Sequence, residues 1–242
     1  MPTTPDDRPE LTLTSTADGT RTLHCPVADQ TYHSTHGALA EARHVFLEGS
    51  DTAQRLAEGL ATHVLEIGLG TGLNLAVTLA EAARTRTPLR YTAVELRPLP
   101  PPLLDALAHD AILPPDLRNP FRQLLSGLHD APQGSVLRER WRPPHPDVDI
   151  TLVRDDARSA LPCLDIHVDA IYLDAFSPSA CPELWETDFL AALRRVSVPE
   201  AVLATYSCAG AVRRALVNAG WTPRKRPGPP GGKREVLRAT RP

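Results

Sequence analysis

The stretch that decides the fold is His63-Val-Leu-Glu-Ile-Gly-Leu-Gly-Thr-Gly-Leu-Asn74. Its first residues are mostly apolar and predict a buried strand, and the glycines at 68, 70 and 72 predict a tight turn. Leucines and alanines then recur at helical spacing over residues 73–83, which predicts a helix directly after the turn. A strand, a glycine turn and a helix in this order are typical of folds that bind a nucleotide-like ligand at the turn.

On both sides of this stretch, apolar strands alternate with amphipathic helices. Four further strands are predicted at 90–96, 149–153, 168–174 and 201–206. This alternation predicts an α/β fold with a parallel sheet. Two short candidates at 222–225 and 234–239 add an antiparallel hairpin, so we expect a mostly parallel seven-stranded sheet. Residues 114–146 are predicted to be irregular apart from one helix at about 120–128.

The first 50 residues predict a small extension ahead of the sheet. Alternating residues at 11–14 and 20–23 flank Ala17-Asp18-Gly19, which predicts a hairpin, and residues 37–47 predict a helix. A length of 242 residues fits one domain with a small appendage. We therefore expect a hairpin and helix extension over 1–50, packed on a core domain that spans 51–242.

Composition excludes several classes of protein. Hydrophobic residues make up 42% of the chain and charged residues 23%, which is typical of a folded domain. No apolar run approaches the length of a membrane span, and the polar, acidic start differs from a secretory signal. We expect a soluble, cytoplasmic protein with no membrane partner. The cysteines form no Cys-x-x-Cys pair, and His33 and His36 lack an obvious third ligand, so no metal is expected.

Three acids bear on which ligand the glycine turn accepts. Glu66 lies two residues before the first glycine, where it can face the cationic end of S-adenosylmethionine (SAM) and would oppose a pyrophosphate. The spacing Gly-x-Gly-x-Gly is also tighter than the dinucleotide form. Asp156 follows the strand at 149–153, where its carboxylate can accept a hydrogen bond from an adenine amino group. Glu95 can bind the ribose of either ligand and does not discriminate between them. The pattern favours SAM over NAD, and close packing of the turn is the structural alternative.

Asp174 is the candidate catalytic residue. It ends the strand at 168–174, next to the crevice where ligands bind in such sheets. The alternative is a helix N-cap, because aspartate caps helices well. Phe176 and Pro178 follow and can form an apolar wall, or simply pack within their loop.

Charge is distributed unevenly along the chain. Residues 194–242 contain eleven arginines and lysines against two acids, although the whole chain carries a net charge of −3. Such asymmetry indicates a polyanionic partner and fits one specific RNA or nucleotide substrate, while a solvated face is the alternative. The candidate phosphate contacts are Arg213, Arg214, Arg224, Lys225, Arg226, Lys233 and Arg234.

Several motifs outside the glycine turn are more specific than the turn itself. They are Tyr32-His-Ser34, Glu41, Leu173-Asp-Ala-Phe-Ser-Pro178, Pro182-Glu-Leu-Trp185, Ala204-Thr-Tyr-Ser-Cys-Ala-Gly210 and Lys233-Arg-Glu235. With these motifs the chain resembles the methyltransferase domain of the MnmC type, which also occurs as a stand-alone protein. The resemblance covers nearly the whole chain after the first ten residues.

The resemblance implies a class I SAM-dependent methyltransferase with a Rossmann-like fold. It implies N-methylation of the aminomethyl group on the wobble uridine of tRNA, which gives 5-methylaminomethyl-2-thiouridine. The implied SAM site consists of Glu66, Gly68, Gly70, Thr71, Gly72, Asn74, Glu95, Asp156 and Ala157. Asp174 would face the acceptor amine, with Phe176, Pro178 and Tyr206 on the substrate side together with the basic residues.

The sequence departs from the family pattern at two places. Cys181 stands where the family usually has asparagine, and Pro227-Gly-Pro-Pro-Gly-Gly232 replaces the family's Gly-Phe-Gly before Lys233. No second nucleotide-binding glycine motif is found, so we expect no FAD and expect separate enzymes to supply the aminomethyl group. The expected partner is the anticodon region of tRNA.

Three rival functions remain open from the residues alone. The first is a polyamine aminopropyltransferase or another small-amine transferase on the same fold, which would not need the basic C-terminal region. The second is an NAD-dependent dehydrogenase. The third is a non-catalytic RNA-binding protein, against which the intact glycine turn and Asp174 argue.

Overall fold

The described residues form a central sheet and a smaller sheet. The structure is a computed structural model, and it describes residues 10–142 and 147–242. Within these residues the strands are β1 (Thr12–Ser15), β2 (Arg21–Cys25), β3 (Gln30–Thr31), β4 (Thr62–Ile67), β5 (Leu89–Val94), β6 (Ser135–Trp141), β7 (Val148–Arg154), β8 (Val168–Leu173), β9 (Ser197–Thr205), β10 (Thr222–Pro227) and β11 (Glu235–Thr240).

Helices connect most of the strands. They are α1 (Ala38–Glu41), α2 (Thr52–Ala57), α3 (Leu73–Thr85), α4 (Pro101–Leu107), α5 (Pro115–Asp130), α6 (Ala157–Ala160), α7 (Thr187–Arg195) and α8 (Gly210–Asn218). A π-helical turn, Ala42–Leu47, continues α1, and single 3-10 turns span His109–Ile112, Leu161–Cys163 and Pro182–Leu184.

The central sheet has the order β10-β11-β9-β8-β4-β5-β7-β6. Strands β9, β8, β4, β5 and β7 pair in parallel, whereas β11 on β9, β10 on β11 and β6 on β7 are antiparallel. Ile67 at the end of β4 lies opposite Val94 of β5 and Leu173 of β8. The residues that follow these three strands therefore meet at one edge of the sheet, as the predicted mostly parallel α/β fold requires.

The sheet has eight strands in the described part of the chain, so the prediction of seven was wrong by one. The additional strand is β6, which pairs with β7 over its full length and forms an edge of the sheet. Its sequence, Ser-Val-Leu-Arg-Glu-Arg-Trp, has three consecutive charged residues and is mostly not buried. Edge strands commonly carry charges that block further pairing, and such a strand lacks the apolar signal of its buried neighbours.

Helices cover both faces of the sheet. On one face α3 and α5 bury Leu75, Leu79, Phe121 and Leu124 together with side chains of β4, β5 and β7. On the other face α7 and α8 bury apolar side chains against β8, β9 and β11. The glycine turn leads straight from the most central strand into α3, so the packing of both elements positions the turn.

The N-terminal residues form a three-stranded antiparallel sheet, β1-β2-β3. The predicted hairpin is confirmed by the pairing of β1 with β2, while β3 is a further strand. Leu23 of β2 is fully buried in a cluster with Leu99 and Leu107 of the core. The division of the chain at residue 50 stays a prediction.

The described residues contain neither a membrane-spanning helix nor a metal-binding cluster. No helix within residues 10–142 and 147–242 has the length and apolar character needed to cross a bilayer. In the same part of the chain, no group of three or more histidine, cysteine or acidic side chains is placed to hold a metal ion. The cysteines are free thiols, of which Cys25 is buried and Cys163 exposed.

Candidate active site

The glycine turn after β4 presses against the chain that leaves β8. Gly68 has a φ of 89°, and a Cβ at this position would lie 2.9 Å from the carbonyl oxygen of Asp174 and 3.1 Å from the nitrogen of Ala175. Gly70 has a φ of 52°, and its Cβ would lie 3.1 Å from the ring of Tyr32. Only glycine combines these left-handed conformations with so close an approach. The turn, Asp174 and Tyr32 therefore form one compact edge.

Asn74 in the first turn of α3 connects the ends of β4 and β8. Its Nδ2 donates to Glu66 Oε1 at 2.9 Å and to Asp174 Oδ2 at 2.8 Å. Tyr91 donates its hydroxyl to the other oxygen of Glu66 at 2.9 Å. Two carboxyl groups thus determine the orientation of the Asn74 amide. The amide oxygen of Asn74 is buried and has no hydrogen-bond partner among the described residues.

Three acidic side chains share this edge and repel one another. Burial raises the pKa of Asp174 well above its usual range, and the charges of Glu41 and Glu66 raise it further. Burial also raises the pKa of Glu66 to about 8, against the hydrogen bonds from Asn74 and Tyr91. The pKa of Glu41 is raised by burial as well. Perturbed carboxyl groups at the mouth of a parallel sheet are typical of functional sites, and here they favour a cationic ligand.

Lys233 is the basic side chain that faces these acids. Its Nζ lies 3.8 Å from the centroid of the Tyr206 ring. Tyr206 in turn donates its hydroxyl to the carbonyl oxygen of Ala175 at 2.8 Å. Desolvation lowers the pKa of Lys233, while the charges of Glu41 and Asp174 oppose that shift. The charges of Glu41 and Asp174 thus act on the Lys233 ammonium group, and its predicted contact with a phosphate stays a prediction.

Two further predicted SAM contacts, Glu95 after β5 and Thr71 within the turn, make hydrogen bonds that support the glycine turn. Half-buried Glu95 accepts from the backbone nitrogens of Gly70 at 2.8 Å and Arg97 at 2.7 Å. Thr71 is buried, and its hydroxyl shares a hydrogen bond of 3.2 Å with Nε2 of His33. These contacts connect the glycine turn to the end of β5 and to the N-terminal segment.

Asp156 and Ala157 lie one strand further along the sheet, after β7. Asp156 N-caps α6 by accepting from the backbone nitrogen of Arg158 at 2.8 Å, and it also contacts the Arg158 guanidinium at 2.6 Å. Ala157 is buried at the start of α6. The carboxylate of Asp156 is therefore already engaged, and its contact with an adenine stays a prediction.

Comparison with known proteins identifies the family. A family model described as S-adenosyl-L-methionine-dependent methyltransferase matches residues 122–242, which is half of the chain. The chain belongs to this family. The methyltransferase is 34% identical over 238 residues to the tRNA 5-methylaminomethyl-2-thiouridine biosynthesis bifunctional protein MnmC of Burkholderia vietnamiensis, covering 93% of this chain and 34% of the relative.

Two further relatives agree with that assignment. The protein of the same name from Chromohalobacter salexigens is 39% identical over 212 residues, covering 85% of this chain and 29% of the relative. The methyltransferase thus spans about a third of the length of the curated relatives it matches. Among solved structures, MnmC2 from Aquifex aeolicus superposes with a TM-score of 0.75 and 25% identity, over 97% of this chain and 71% of that one.

The residues at the turn fit the methyl donor of this family. SAM carries a sulfonium and an ammonium group, and the turn is surrounded by the carboxyl groups of Glu41, Glu66 and Asp174. The buried oxygen of Asn74 offers an additional acceptor. A dinucleotide would bring a pyrophosphate to the same acids, which electrostatic repulsion disfavours. The methyltransferase uses SAM, and the contacts of individual residues with it stay predictions.

The loop after Asp174 divides the predicted apolar wall. The ring of Phe176 packs edge-on against Tyr32 at a centroid distance of 5.1 Å, over the glycine turn. Pro178 instead lines an open groove of about 510 Å³ with Trp185 and Val212, beside α7 and α8. Phe176 therefore packs against Tyr32 at the glycine turn, whereas Pro178 lines the groove beside α7 and α8.

Hydrogen bonds from two parts of the chain hold this loop. Trp185 donates its indole nitrogen to the carbonyl oxygen of Phe176 at 2.9 Å. Gln30 of β3 donates to the hydroxyl of Ser177 at 2.5 Å and accepts from its backbone nitrogen at 3.1 Å. The N-terminal sheet thus supports the loop after Asp174 directly.

The other basic residues lie outside the acid cluster. The exposed ones are Arg213 and Arg214 on α8, Arg224 and Lys225 on β10, and Arg234. Lys225 pairs with Glu235 at 2.6 Å, which neutralises part of this surface. Arg226 is half-buried, and its Nη1 has no hydrogen-bond partner in the described part of the chain.

Glu41 is the site residue to which sequence reasoning assigned no role. It is buried and accepts from the backbone nitrogen of Ser34 at 2.7 Å. The available signal is its position on a helix face that also buries Ala38, Ala42 and Val45. An acid on an apolar helix face is seldom buried unless it is paired or functional.

Proposed function

We propose that the methyltransferase transfers a methyl group from SAM to the aminomethyl nitrogen on the wobble uridine of tRNA, which gives 5-methylaminomethyl-2-thiouridine. The observation that carries the proposal is the acid cluster of Asp174, Glu41 and Glu66 beside the glycine turn, because its carboxyl groups can accept hydrogen bonds from an amine acceptor next to a cationic donor. The names of the MnmC relatives support the choice of tRNA.

In this proposal the glycine turn and its supports hold the donor. The contacts are assigned to Glu66, Gly68, Gly70, Thr71, Gly72, Asn74, Glu95, Asp156 and Ala157. Glu66 acts through Asn74, since both of its oxygens accept hydrogen bonds inside the protein. Glu95 orients the turn by accepting from Gly70 and retains lone pairs for a ribose hydroxyl.

Asp174 orients the acceptor nitrogen. In-line displacement requires the nitrogen about 3 Å from the methyl carbon and aligned with the departing sulfur. Asp174 accepts a hydrogen bond from the amine and directs its lone pair, while Asn74 holds the carboxyl group in place. Phe176 and Tyr206 flank the uridine side of the site.

The exposed arginines of α8 and β10 support a nucleic-acid partner. Arg213, Arg214, Arg224 and Arg234 are exposed and available for phosphate contacts. A polyamine acceptor would gain nothing from them. Contact with the anticodon region, a cytoplasmic location and the supply of the aminomethyl group by separate enzymes belong to the same proposal.

Incubation of the purified protein with labelled SAM tests this function. We expect label on tRNA that carries aminomethyluridine, recovered as methylaminomethyluridine after digestion to nucleosides. Matched reactions contain tRNA with unmodified uridine, or spermidine in place of tRNA. Label on spermidine but not on tRNA would establish a small-amine transferase. SAM binding without any labelled product would contradict the proposal.

A further inference from the structure

Carboxylates beside an amine acceptor create a chemical difficulty. An alkylamine has a pKa near 10 and is mostly protonated at neutral pH, so it lacks the lone pair that attacks. Negative neighbours such as Asp174 and Glu41 stabilise the protonated form further. The site therefore needs a feature that makes loss of this proton easier.

Lys233 is placed to supply that feature. Its ammonium group lies over the face of Tyr206, 3.8 Å from the ring centroid. The charged or titratable groups that act on it are Glu41 of α1, Asp174 after β8 and Cys208 after β9. The same acids would attract an incoming ammonium group, so the two cations would compete for one set of carboxylates.

Building on the proposed function, we infer that Lys233 remains beside Asp174 during the reaction and favours the free base of the acceptor amine within the site. Lys233 is thus a positioning residue. Its ammonium group takes the place next to the acids that a protonated acceptor would otherwise occupy. The Lys233 ammonium satisfies the acids electrostatically, and a second cation next to it meets like-charge repulsion in partly desolvated surroundings. The neutral amine meets no such repulsion.

The proton and electron balance is simple. The acceptor ammonium gives its proton to the carboxylate of Asp174, which passes it to water. The nitrogen lone pair then forms the N–C bond to the methyl carbon of the donor as the C–S bond breaks. The electron pair of that bond stays on sulfur, and S-adenosylhomocysteine leaves. The methylated product is a secondary ammonium, which loses or keeps its proton according to solvent pH after release.

Lys225 provides the contrast within the same hairpin. It is exposed and pairs with Glu235 at 2.6 Å, and its charge is therefore compensated outside the acid cluster. Lys225→Gln and Lys233→Gln remove the same charge from nearby positions. They form a matched pair that separates a local effect on the acceptor from a general loss of positive charge toward RNA.

The test is the pH profile of single-turnover methylation of tRNA bearing aminomethyluridine, at saturating protein and SAM. The methylation rate should rise with pH as the acceptor amine loses its proton. In Lys233→Gln we expect this rise to occur about one pH unit higher than in the parent. The shift is modest because Lys233 is partly exposed and its charge is screened by solvent. In Lys233→Arg the rate should rise at the same pH as in the parent. Lys225→Gln should change the affinity for tRNA without changing the pH at which the rate rises. A Lys233→Gln profile identical to the parent's would overturn the inference.

A second measurement does not need the donor. In tRNA with a ¹³C-labelled aminomethyl carbon, bound to excess protein without SAM, the carbon shift reports protonation of the amine. The amine should lose its proton at lower pH on the parent than on Lys233→Gln. Equal values overturn the inference. Absence of product from the parent enzyme would instead count against the proposed function, so the two failures are distinct.

Discussion

Asp156 and Asp174 follow parallel strands of the same sheet, yet the two side chains have opposite properties. Asp156 caps α6 and contacts Arg158, and the hydrogen bond from Arg158 lowers its pKa. Asp174 is followed by a loop rather than a helix, and burial among other acids raises its pKa. The N-cap alternative considered for Asp174 thus describes Asp156. Both aspartates follow a strand, and the residues around each side chain determine whether it is suited to a structural or a chemical role.

The largest effect is expected from Asp174→Asn, which keeps the size of the side chain and an acceptor for Asn74. In the proposed mechanism the carboxylate orients and deprotonates the acceptor, so its loss should lower turnover by roughly 100-fold or more. Single-turnover kinetics measure this loss, and calorimetry should find SAM affinity nearly unchanged. Turnover close to that of the parent would return Asp174 to a structural role.

Asn74→Ala should have the next largest effect. It deprives both Glu66 and Asp174 of a hydrogen bond in a buried setting, which costs about 2 kcal/mol of the free energy of unfolding. Urea denaturation measures the loss. Thr78→Val in the same helix is a suitable control, because it removes buried hydrogen bonds to the Asn74 carbonyl oxygen and the Tyr172 hydroxyl without touching the acids. An equal loss in both variants would show that Asn74 has no special part in the cluster.

The two classes of acid should respond oppositely to pH. The pKa of Glu66 is raised to about 8, so the folded state holds a proton that the unfolded state releases above its ordinary value near 4.5. Stability from this group is full below about pH 4.5 and is lost as pH rises toward about 8. In Glu66→Gln this fall should flatten, as followed by urea midpoints between pH 5 and 8. An unchanged slope would contradict a raised pKa.

Asp156→Ala should have the smallest effect. It removes the cap of a short helix and should cost about 1 kcal/mol of unfolding free energy. Because the pKa of Asp156 is lowered, its contribution is present at neutral pH and disappears as pH falls through the acidic range. Denaturation at pH 7 and at pH 3 checks this. If Asp156 also reads adenine, the KM for SAM rises in the same variant.

Regular elements with strong local patterns were predicted well from the sequence. The glycine turn, the parallel strands and the terminal hairpin all appear close to their expected positions, because buried strands and amphipathic helices show their periodicity in short windows. Strand β6 and the full extent of α5 escaped prediction. The charged residues of β6 interrupt the apolar pattern that indicates a strand. Pro120 lies inside α5, although proline usually marks the end of a helix.

The sequence by itself determined the α/β class, the glycine turn and the presence of an acid after each of several strands, since each depends on neighbours along the chain. Only the tertiary structure decided which acids share one site. Glu41, Glu66 and Asp174 come from three distant segments, and Lys233 reaches them from a fourth, near the C-terminal end. Their pKa values depend on burial and on charges brought together by folding, and neither can be known before the strands are ordered in the sheet.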